Sequence, residues 1–327
     1  MTIRYFDMFA GIGGFRSGLE AIGGFECVGY CEIDKYAKQA YEAMYDTRGE
    51  LYFDDARKIV SEQLPDFDLL VGGFPCQSFS IAGARKGFDD TRGTLFFEIA
   101  RIASVKKPKY IFLENVPGML NHDKGRTFET ILRTLDGLGY NVCWQVLNIK
   151  NFGLLIKAKT KDGYQVAYPG DSIDTAFSGQ NSRRGRVGNQ IAHTLTTSAT
   201  QAYYFIDLNP DPKLTEIARC ITARHDSGIS NRKAEHSGVF VESTDFTDDE
   251  KFAVAFIEPN GEVHIGRIRK LTPMECWKLQ GFTDDQFDKA KATGLSDSRL
   301  YKMAGNAVTV NVISEIGKII KKVNDKN

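Results

Sequence analysis

The sequence lacks several features that would place the protein in a specialised class. No apolar run is long enough to cross a bilayer, and Met1 to Tyr5 has no hydrophobic segment of the kind found in signal peptides. The six cysteines are scattered, and the closest pair, Cys27 and Cys31, has no matching second pair of the kind that zinc sites use. We therefore expect reduced thiols, no bound metal, no membrane association and a cytoplasmic protein.

The chain also lacks net charge, because 42 lysines and arginines balance 42 aspartates and glutamates. The overall charge therefore gives no support to a nucleic-acid partner, and only local patches of positive charge can indicate one. What is present is an ordinary globular balance of 42% hydrophobic and 26% charged residues over 327 residues. That length allows one large domain or two moderate ones.

The first half begins with a pattern that favours a nucleotide-type cofactor site. A strand is predicted over Tyr5 to Phe9, a glycine-rich turn over Ala10 to Gly14, and a helix over Phe15 to Ile22. Glycines let the backbone approach a ligand closely, although any tight turn between a strand and a helix gives the same signal. A second strand, Glu26 to Tyr30, leads to Glu32, where an acidic residue suits the hydroxyl pair of a ribose.

The alternation of strands and helices continues to about residue 147. Asp55 follows the third of these strands, where it is equally suited to an adenine amino group or to a plain helix cap. The remaining predicted elements are the helices Lys35 to Met44, Thr94 to Val105 and Thr127 to Leu138, and the strands Glu50 to Phe53, Asp68 to Val71, Lys109 to Leu113 and Tyr140 to Leu147.

Two reactive residue types stand at the ends of neighbouring predicted strands. Cys76 follows a strand that ends in Gly72-Gly73, which we interpret as a tight turn, and Glu114 ends the next strand. Parallel sheets place their ligands at these strand ends, so the pair is a candidate site. The loop Ser78 to Gly93 combines glycines with cations, as expected of a mobile lid over an anionic ligand or of a solvated surface loop.

These motifs together resemble those of bacterial and phage DNA (cytosine-5)-methyltransferases. The similarity covers residues 4–153 and about 267–320, and the order and spacing of the motifs are more specific than any one of them. The matching stretches are Phe6 to Gly14, Gly73 to Gln77 with Phe79-Ser80, Asp89 to Phe96, Glu114-Asn115-Val116 and Gly305 to Val308.

The resemblance implies an α/β fold: a Rossmann-like, S-adenosylmethionine-dependent methyltransferase sheet with an inserted, mainly β target-recognition region. It implies that Cys76 adds to C6 of a cytosine flipped out of double-stranded DNA, and that Glu114 binds the N3 edge of the base. S-adenosylhomocysteine would be the product. We expect a monomer; the resemblance allows a cognate restriction endonuclease but does not require one for activity.

The resemblance also assigns binding residues. The methyl donor would be held by Phe9, Ala10, Gly11, Gly13, Gly14, Glu32, Ile33, Asp55, Ala56, Pro75, Leu95, Asn306 and Val308. The candidates for DNA contact are Gln77, Ser80, Arg85, Arg92, Arg184, Arg224, Arg267 and Arg269.

The sequence departs from the family pattern after Gly153. The family continues there with a proline-glutamine turn, two alternating arginines and a core strand, whereas this chain continues with Leu154-Leu155-Ile156-Lys157. In the family, one of these arginines holds the flipped base. The nearest candidates to replace them are Gln180 and the cluster Arg183-Arg184-Gly185-Arg186, from which we select Arg183 and Arg186. The same cluster could instead contact DNA phosphates or form an exposed basic turn.

We therefore predict a catalytic segment over residues 1–153, a target-recognition region over 154–265 and a return segment over 266–327. The recognition region holds a weak repeat, in which 191–197 resembles 217–223 and each copy leads into a polar stretch suited to base edges. In the return segment, Thr272 and Pro273 are predicted to start a helix, and the last helix is expected to begin near Asn311.

Three alternatives remain open from the sequence. The same chemistry could act on tRNA, although the sizeable insert favours a DNA reader. The break after Gly153 would suit a catalytically impaired relative that only binds DNA. The glycine turn and Glu32 alone would suit a nicotinamide-dependent oxidoreductase, but this leaves the motifs around Cys76 and Glu114 unexplained.

Overall fold

The computed structural model describes residues 2–75, 95–147 and 263–326, and between residues 154 and 257 it describes only the strands named below. The chain forms two compact units, Met1–Leu147 with Ala307–Asn327, and Asn148–Asn306. Within the described ranges, none of the helices has the length and apolar character needed to cross a membrane.

The first unit is built on a five-stranded parallel sheet. The spatial order of its strands is β3-β2-β1-β4-β5. The strands are β1 (Ile3–Met8), β2 (Phe25–Cys31), β3 (Leu51–Phe53), β4 (Leu69–Gly73) and β5 (Tyr110–Glu114), and the helices between and after them are α1 (Gly14–Ile22), α2 (Lys35–Met44), α3 (Leu95–Lys106) and α4 (Arg126–Gly137). A 3-10 helical segment, Pro117–Gly125, precedes α4.

The central strand β1 is apolar on both faces because helices cover both sides of the sheet. Ile3 and Tyr5 pack into a cluster with residues of α1. Phe6 and Met8 point the other way, into a cluster with residues of α3 and α4. Because all the strands run parallel, their carboxyl ends lie at a single edge of the sheet.

Two sequence expectations about this sheet are wrong. The predicted strand Tyr140 to Leu147 does not form; residues 141–146 are exposed and have no strand assignment. Its apolar alternation lacks a hydrogen-bonded partner strand among the described residues, and Trp144 packs instead against Phe128 of α4, with ring centroids 5.1 Å apart.

Gly72 and Gly73 are not a turn but the last two residues of β4. A Cβ at Gly72 would stand 2.9 Å from the Met8 carbonyl oxygen, so close strand packing explains that glycine.

The second unit is mainly β, as expected for the inserted region. A five-stranded antiparallel sheet has the order β11-β10-β12-β14-β13, and two hairpins pair β6 with β7 and β8 with β9. The strands are β6 (Leu154–Lys157), β7 (Tyr164–Ala167), β8 (Ser172–Asp174), β9 (Arg186–Gly188), β10 (Tyr204–Asp207), β11 (Leu214–Thr215), β12 (Ser237–Glu242), β13 (Ala253–Ile257) and β14 (Val263–Lys270). The repeat over 191–197 and 217–223 lies outside the described residues.

Three helices follow this sheet, α5 (Pro273–Leu279), α6 (Asp284–Ala292) and α7 (Asp297–Asn306). The predicted start of α5 is confirmed: Thr272 is the N-cap, and its side chain and that of Glu275 bind each other's backbone N–H groups in a capping box. Trp277 is fully buried and donates its indole N–H to the Leu300 carbonyl at 2.9 Å.

The last helix, α8 (Val310–Asn324), belongs to the first unit and packs on α1. The Ser314 hydroxyl donates to the Gly18 carbonyl at 3.0 Å. A Cβ at Gly18 would stand 2.6 Å from the Ile313 side chain, so the two helices are in close contact. Of the predicted return segment 266–327, only Ala307–Asn327 lies in the first unit, whereas residues 266–306 belong to the second.

Asp7 is the one charged residue of β1 that is buried; the other, Arg4, is exposed. Asp7 is fully buried, and neither carboxylate oxygen has a hydrogen-bond partner within the described structure. Burial raises the pKa of the Asp7 carboxyl from 3.8 to about 8, even though the neighbouring Arg16 acts in the opposite direction. The carboxyl therefore retains its proton at neutral pH.

This raised pKa predicts a pH-dependent stability. Asp7 contributes fully below its unfolded pKa near 4, and the contribution falls as pH rises towards 8, because ionisation is then easier in the unfolded chain. The Asp7→Asn side chain cannot ionise. As pH rises across this window, the free energy of unfolding of the variant should therefore increase relative to that of the wild type, by up to about 1.4 kcal/mol per pH unit. Urea unfolding at several pH values between 5 and 8 measures the difference. Parallel pH profiles for the two proteins would contradict the assignment.

Candidate functional site

Several of the predicted site residues that the structure describes lie at the carboxyl edge of the parallel sheet. β1 ends at the glycine turn, β2 ends before Glu32, and β4 and β5 end side by side. Because β1 lies between β2 and β4, one edge collects chain segments that are far apart in the sequence.

The glycine-rich turn is held in place by the end of β2. The Gly11 N–H donates to Glu32 Oε2 at 2.8 Å, and the Ala10 N–H donates to the Cys31 carbonyl at 3.0 Å. Phe9 has a positive φ of 58°, which is uncommon for a residue with a side chain and typical of strained functional turns. Gly13, with a φ of 77°, is the N-cap of α1.

Glu32 is a buried carboxylate whose two oxygens are both in use. Oε2 accepts from Gly11, as above, and Oε1 accepts the Asp34 N–H at 2.6 Å. Burial raises the pKa of Glu32, and these backbone hydrogen bonds oppose the rise. Each oxygen keeps a second lone pair that can accept from a ligand hydroxyl. The next residue, Ile33, is 71% exposed and presents an apolar side chain to solvent.

Asp55 caps a short 3-10 turn, Ala56–Lys58, by accepting the Arg57 N–H at 3.0 Å. Its carboxylate also pairs with the Arg57 guanidinium at 2.7 Å, and this partner lowers the pKa of Asp55 to about 2. Of the two roles open from the sequence, the structure therefore displays the cap. Ala56 is buried, and its carbonyl accepts from Arg101 of α3 at 3.1 Å.

The ends of β4 and β5 bring Glu114 next to the segment that leads to Cys76. Gly73 and Glu114 are register partners, and a Cβ at Gly73 would stand 3.2 Å from Glu114 Oε2. The absence of a side chain at Gly73 therefore leaves room for the Glu114 carboxyl. Burial raises the pKa of Glu114, so its neutral form is favoured more than in an exposed glutamate.

Asn115 is a site residue to which the sequence analysis gave no role. Its Nδ2 donates to the Phe74 carbonyl at 2.7 Å, and its Oδ1 accepts the Val116 N–H at 2.9 Å. The side chain thus joins the end of β5 to the backbone just before Pro75 and Cys76. The sequence contains a signal for this role, because Asn115 directly follows a strand that ends in a candidate acid. An amide side chain there can donate one hydrogen bond and accept another at the same time.

Several other predicted residues have a described position. Val308 lies against the glycine turn, because its carbonyl oxygen is 2.5 Å from where a Cβ at Gly14 would stand. Leu95 is the first residue of α3 and Asn306 the last residue of α7. In the second unit, Arg186 begins β9, and Arg267 and Arg269 lie two residues apart on β14.

The remaining predicted residues lie outside the described ranges: Cys76, Gln77, Ser80, Arg85, Arg92, Arg183, Arg184 and Arg224. Pro75 is the last described residue before Cys76. Three other cysteines, Cys27, Cys31 and Cys276, are buried, and burial raises the pKa of each thiol to about 12. These three thiols are therefore poor nucleophiles at neutral pH. The described residues contain no cluster of three or more side chains suited to a metal ion.

Curated proteins resemble this chain over nearly its whole length. It is 34% identical to the type II methyltransferase M.HhaI of Haemophilus parahaemolyticus, over 96% of this chain and 93% of that protein. It is 36% identical to the type II methyltransferase M.NlaX of Neisseria lactamica, over 97% and 96%. It is 32% identical to the orphan methyltransferase M.SPRI of Bacillus phage SPR, over 97% of both.

Solved structures share the fold at lower identity. The S. pombe Dnmt2 methyltransferase matches with a TM-score of 0.61 at 16% identity, over 98% of this chain and 99% of that chain. A putative DNA modification methyltransferase encoded within an E. coli prophage matches with a TM-score of 0.58 at 18% identity, over 99% and 100%. The expected α/β, Rossmann-like methyltransferase fold is confirmed.

A family model described as C-5 cytosine-specific DNA methylase matches residues 3–155 and 170–322. These two segments include the glycine turn, the ends of β4 and β5, and the return of the chain to the first unit. Together with relatives above 30% identity along nearly the full length, this match means that the chain belongs to the C-5 cytosine-specific DNA methylase family.

Proposed function

We propose that this chain methylates carbon 5 of cytosine within a specific sequence of double-stranded DNA. S-adenosylmethionine is the methyl donor, S-adenosylhomocysteine is the product, and one chain acts without a restriction endonuclease. The observation that carries the proposal is the pairing of β4 with β5, which sets Glu114 beside the segment leading to Cys76. The names of the relatives, type II and orphan methyltransferases, support the same class of reaction.

The edge of the sheet suits the methyl donor. Open space lies where a side chain at Gly11 would stand, so a ligand can approach the backbone of the turn. Glu32 has lone pairs for ribose hydroxyls, and the exposed Ile33 offers an apolar surface to an adenine ring. S-adenosylmethionine bound there supplies an electrophilic methyl group.

Cys76 supplies the nucleophile in this proposal. C5 of cytosine is a poor nucleophile, and addition of the Cys76 thiolate to C6 makes C5 electron-rich. After C5 has gained the methyl group, loss of the C5 proton restores the double bond and expels the thiolate from C6. The target carbon cannot be reached inside a duplex, so the base must first be flipped out, at a cost of about a few kcal/mol in pairing and stacking.

Glu114 balances the charge that develops on the ring. Addition of a thiolate at C6 places negative charge on N3, and a carboxylic acid at that edge can donate a hydrogen bond or a proton to it. The raised pKa of the half-buried Glu114 increases the fraction that carries this proton. Gly73 and Asn115 support the geometry, since one leaves room for the carboxyl and the other fixes the neighbouring backbone.

Arg183 and Arg186 are proposed to replace the arginines missing after Gly153. The family match is interrupted over residues 156–169 and resumes at 170, so its second segment includes both arginines. The β6–β7 hairpin overlaps the interruption. This overlap supports the proposal that an inserted hairpin interrupts the pattern and that the residues after it are retained.

The second unit is proposed to read the DNA. Arg267 and Arg269 occupy alternate positions of β14, which share one face of the antiparallel sheet. Arginine is a residue type suited to contact with DNA phosphates. The predicted contacts of Gln77, Ser80, Arg85, Arg92, Arg184 and Arg224 belong to the same proposal.

Loss of the Cys76 thiol should abolish methyl transfer. Cys76→Ser is expected to fall below about one thousandth of the wild-type rate while retaining donor binding, because only the nucleophile is removed. Transfer of labelled methyl from S-adenosylmethionine to mixed-sequence duplex DNA measures the rate, with tRNA assayed in parallel. Cys143→Ser, at an exposed cysteine, is the matched control and should keep full activity. Turnover by Cys76→Ser would exclude the mechanism, and label in tRNA alone would move the substrate class to RNA.

Glu114→Gln should lower kcat by about 10²- to 10⁴-fold, since the amide cannot give a proton to N3. Gly73→Ala should lower kcat by about tenfold or more, because the new Cβ would displace a carboxyl oxygen only 3.2 Å away. Gly137→Ala is the control, at a glycine of α4 with open space around the added methyl. Single-turnover rates at saturating DNA separate chemistry from binding. A wild-type rate in Glu114→Gln would remove Glu114 from the mechanism.

Arg183→Ala and Arg186→Ala distinguish a role at the flipped base from contact with phosphates. A base-holding arginine lowers turnover at saturating DNA, which is the result we expect for at least one of the two. A phosphate contact instead weakens affinity for every sequence and reduces the salt dependence of binding by about one unit of slope. If both variants behave only in the second way, the proposed replacement of the missing arginines is wrong.

A further inference from the structure

The glycine turn is fixed from two directions by one connection of the chain. Glu32, at the start of the connection after β2, accepts the Gly11 N–H at 2.8 Å. Tyr45, directly after α2, donates its hydroxyl towards the Gly13 carbonyl at 2.9 Å, with the Ile12 carbonyl at 3.2 Å. The helix α2 separates these two contacts as a rigid spacer. Glu32 thus binds an N–H group of the turn, and Tyr45 binds its carbonyl groups.

The Tyr45 ring also fills the space beneath Gly13. A Cβ at Gly13 would stand 2.5 Å from Cε2 of that ring, so the turn and the ring are in direct contact. The Ser17 hydroxyl lies 2.5 Å from the Tyr45 hydroxyl and is placed to donate to it. The Gly13 carbonyl accepts the Ser17 N–H at 2.8 Å as well, in the first turn of α1. Tyr45 therefore binds the glycine turn and the start of α1 together.

Arg16 keeps the Tyr45 ring in this position. Its guanidinium carbon lies 4.7 Å from the ring centroid, within the range of a cation–π contact. Arg16 is 4% exposed, and it is fixed by Glu50 at 2.8 Å, by Glu20 at 2.7 Å and by the Asp46 carbonyl at 3.0 Å. The ring therefore contacts both the Arg16 guanidinium and Gly13, and these contacts limit its freedom to turn away.

We propose that Tyr45 is a positioning residue that sets the affinity for the methyl donor. The inference rests on the proposed function, in which the glycine turn holds S-adenosylmethionine. The hydroxyl holds the Ile12–Gly13 backbone in the shape that leaves space beside Gly11. Without it, the donor has to order the turn on binding, and this ordering weakens affinity. Tyr45 itself has no role in the chemical step.

Tyr45→Phe removes the hydroxyl and keeps the ring. The dissociation constant and the KM for S-adenosylmethionine should rise by about fivefold, as expected for the loss of one buried hydrogen bond, while kcat at saturating donor stays at the wild-type value. The matched control is Tyr140→Phe, which removes a hydroxyl that donates to the Pro108 carbonyl at 2.8 Å. Calorimetric titration with the donor and thermal unfolding are measured on all three proteins.

The outcomes separate a positioning role from general stabilisation. Weaker donor binding in Tyr45→Phe alone supports the inference, even if both variants unfold at lower temperature. Unchanged donor binding in Tyr45→Phe, or equal weakening in Tyr140→Phe, would overturn it. If the wild-type protein itself does not bind S-adenosylmethionine, the proposed function fails first and this inference fails with it.

Ser17→Ala provides a second, smaller change to the same contact. It removes the hydroxyl next to Tyr45 and leaves the ring and its bond to Gly13 in place. We expect a weaker loss of donor affinity than in Tyr45→Phe, and the double variant should bind no more weakly than Tyr45→Phe alone, because both changes act on one network. Full additivity of the two losses would show that they are independent and would overturn the inference.

Discussion

The pairing of β4 with a parallel neighbour on each side is the constraint on which the rest of the site depends. Val71 is the register partner of Asp7 on one side and of Phe112 on the other. Four of the five residues of β4 are buried, so a slip of one residue would move its apolar side chains and, on β5, the Glu114 carboxyl to the wrong face. The register therefore places Glu114 opposite Gly73. As a result, an acidic side chain lies beside the segment that leads to Cys76.

Much of this arrangement follows from the sequence, for identifiable reasons. The bounds of α2 are predicted correctly, because Asp34 is an N-cap whose side chain accepts the Tyr36 N–H. The site edge is predicted because parallel strands direct their ends the same way. Local patterns are enough when the signal lies within a few residues or follows from strand direction alone.

The features that the sequence did not reveal depend on partners distant along the chain. Tyr45 and Asn115 each donate to a backbone carbonyl that is distant along the chain, by 32 positions for Tyr45 and by 41 for Asn115. Hydrophobic periodicity in the sequence does not predict hydrogen bonds of this kind. The alternation in Tyr140 to Leu147 predicted a strand, but a strand also needs a neighbour to pair with. Gly72 and Gly73 suggested a turn, whereas their lack of side chains serves close packing within and beside the sheet.

The packing of α8 on α1 has a consequence for how the protein is made. The Ser314 hydroxyl and the Gly18 carbonyl are 296 residues apart, so the first unit cannot complete its fold until the ribosome has synthesised the second. At about 5 to 20 residues per second, the roughly 160 residues of the second unit delay that step by on the order of ten to thirty seconds. During this interval α1 lacks its partner and exposes the apolar side chains that α8 later covers. This uncovered apolar surface is a site at which the nascent chain can aggregate or bind chaperones.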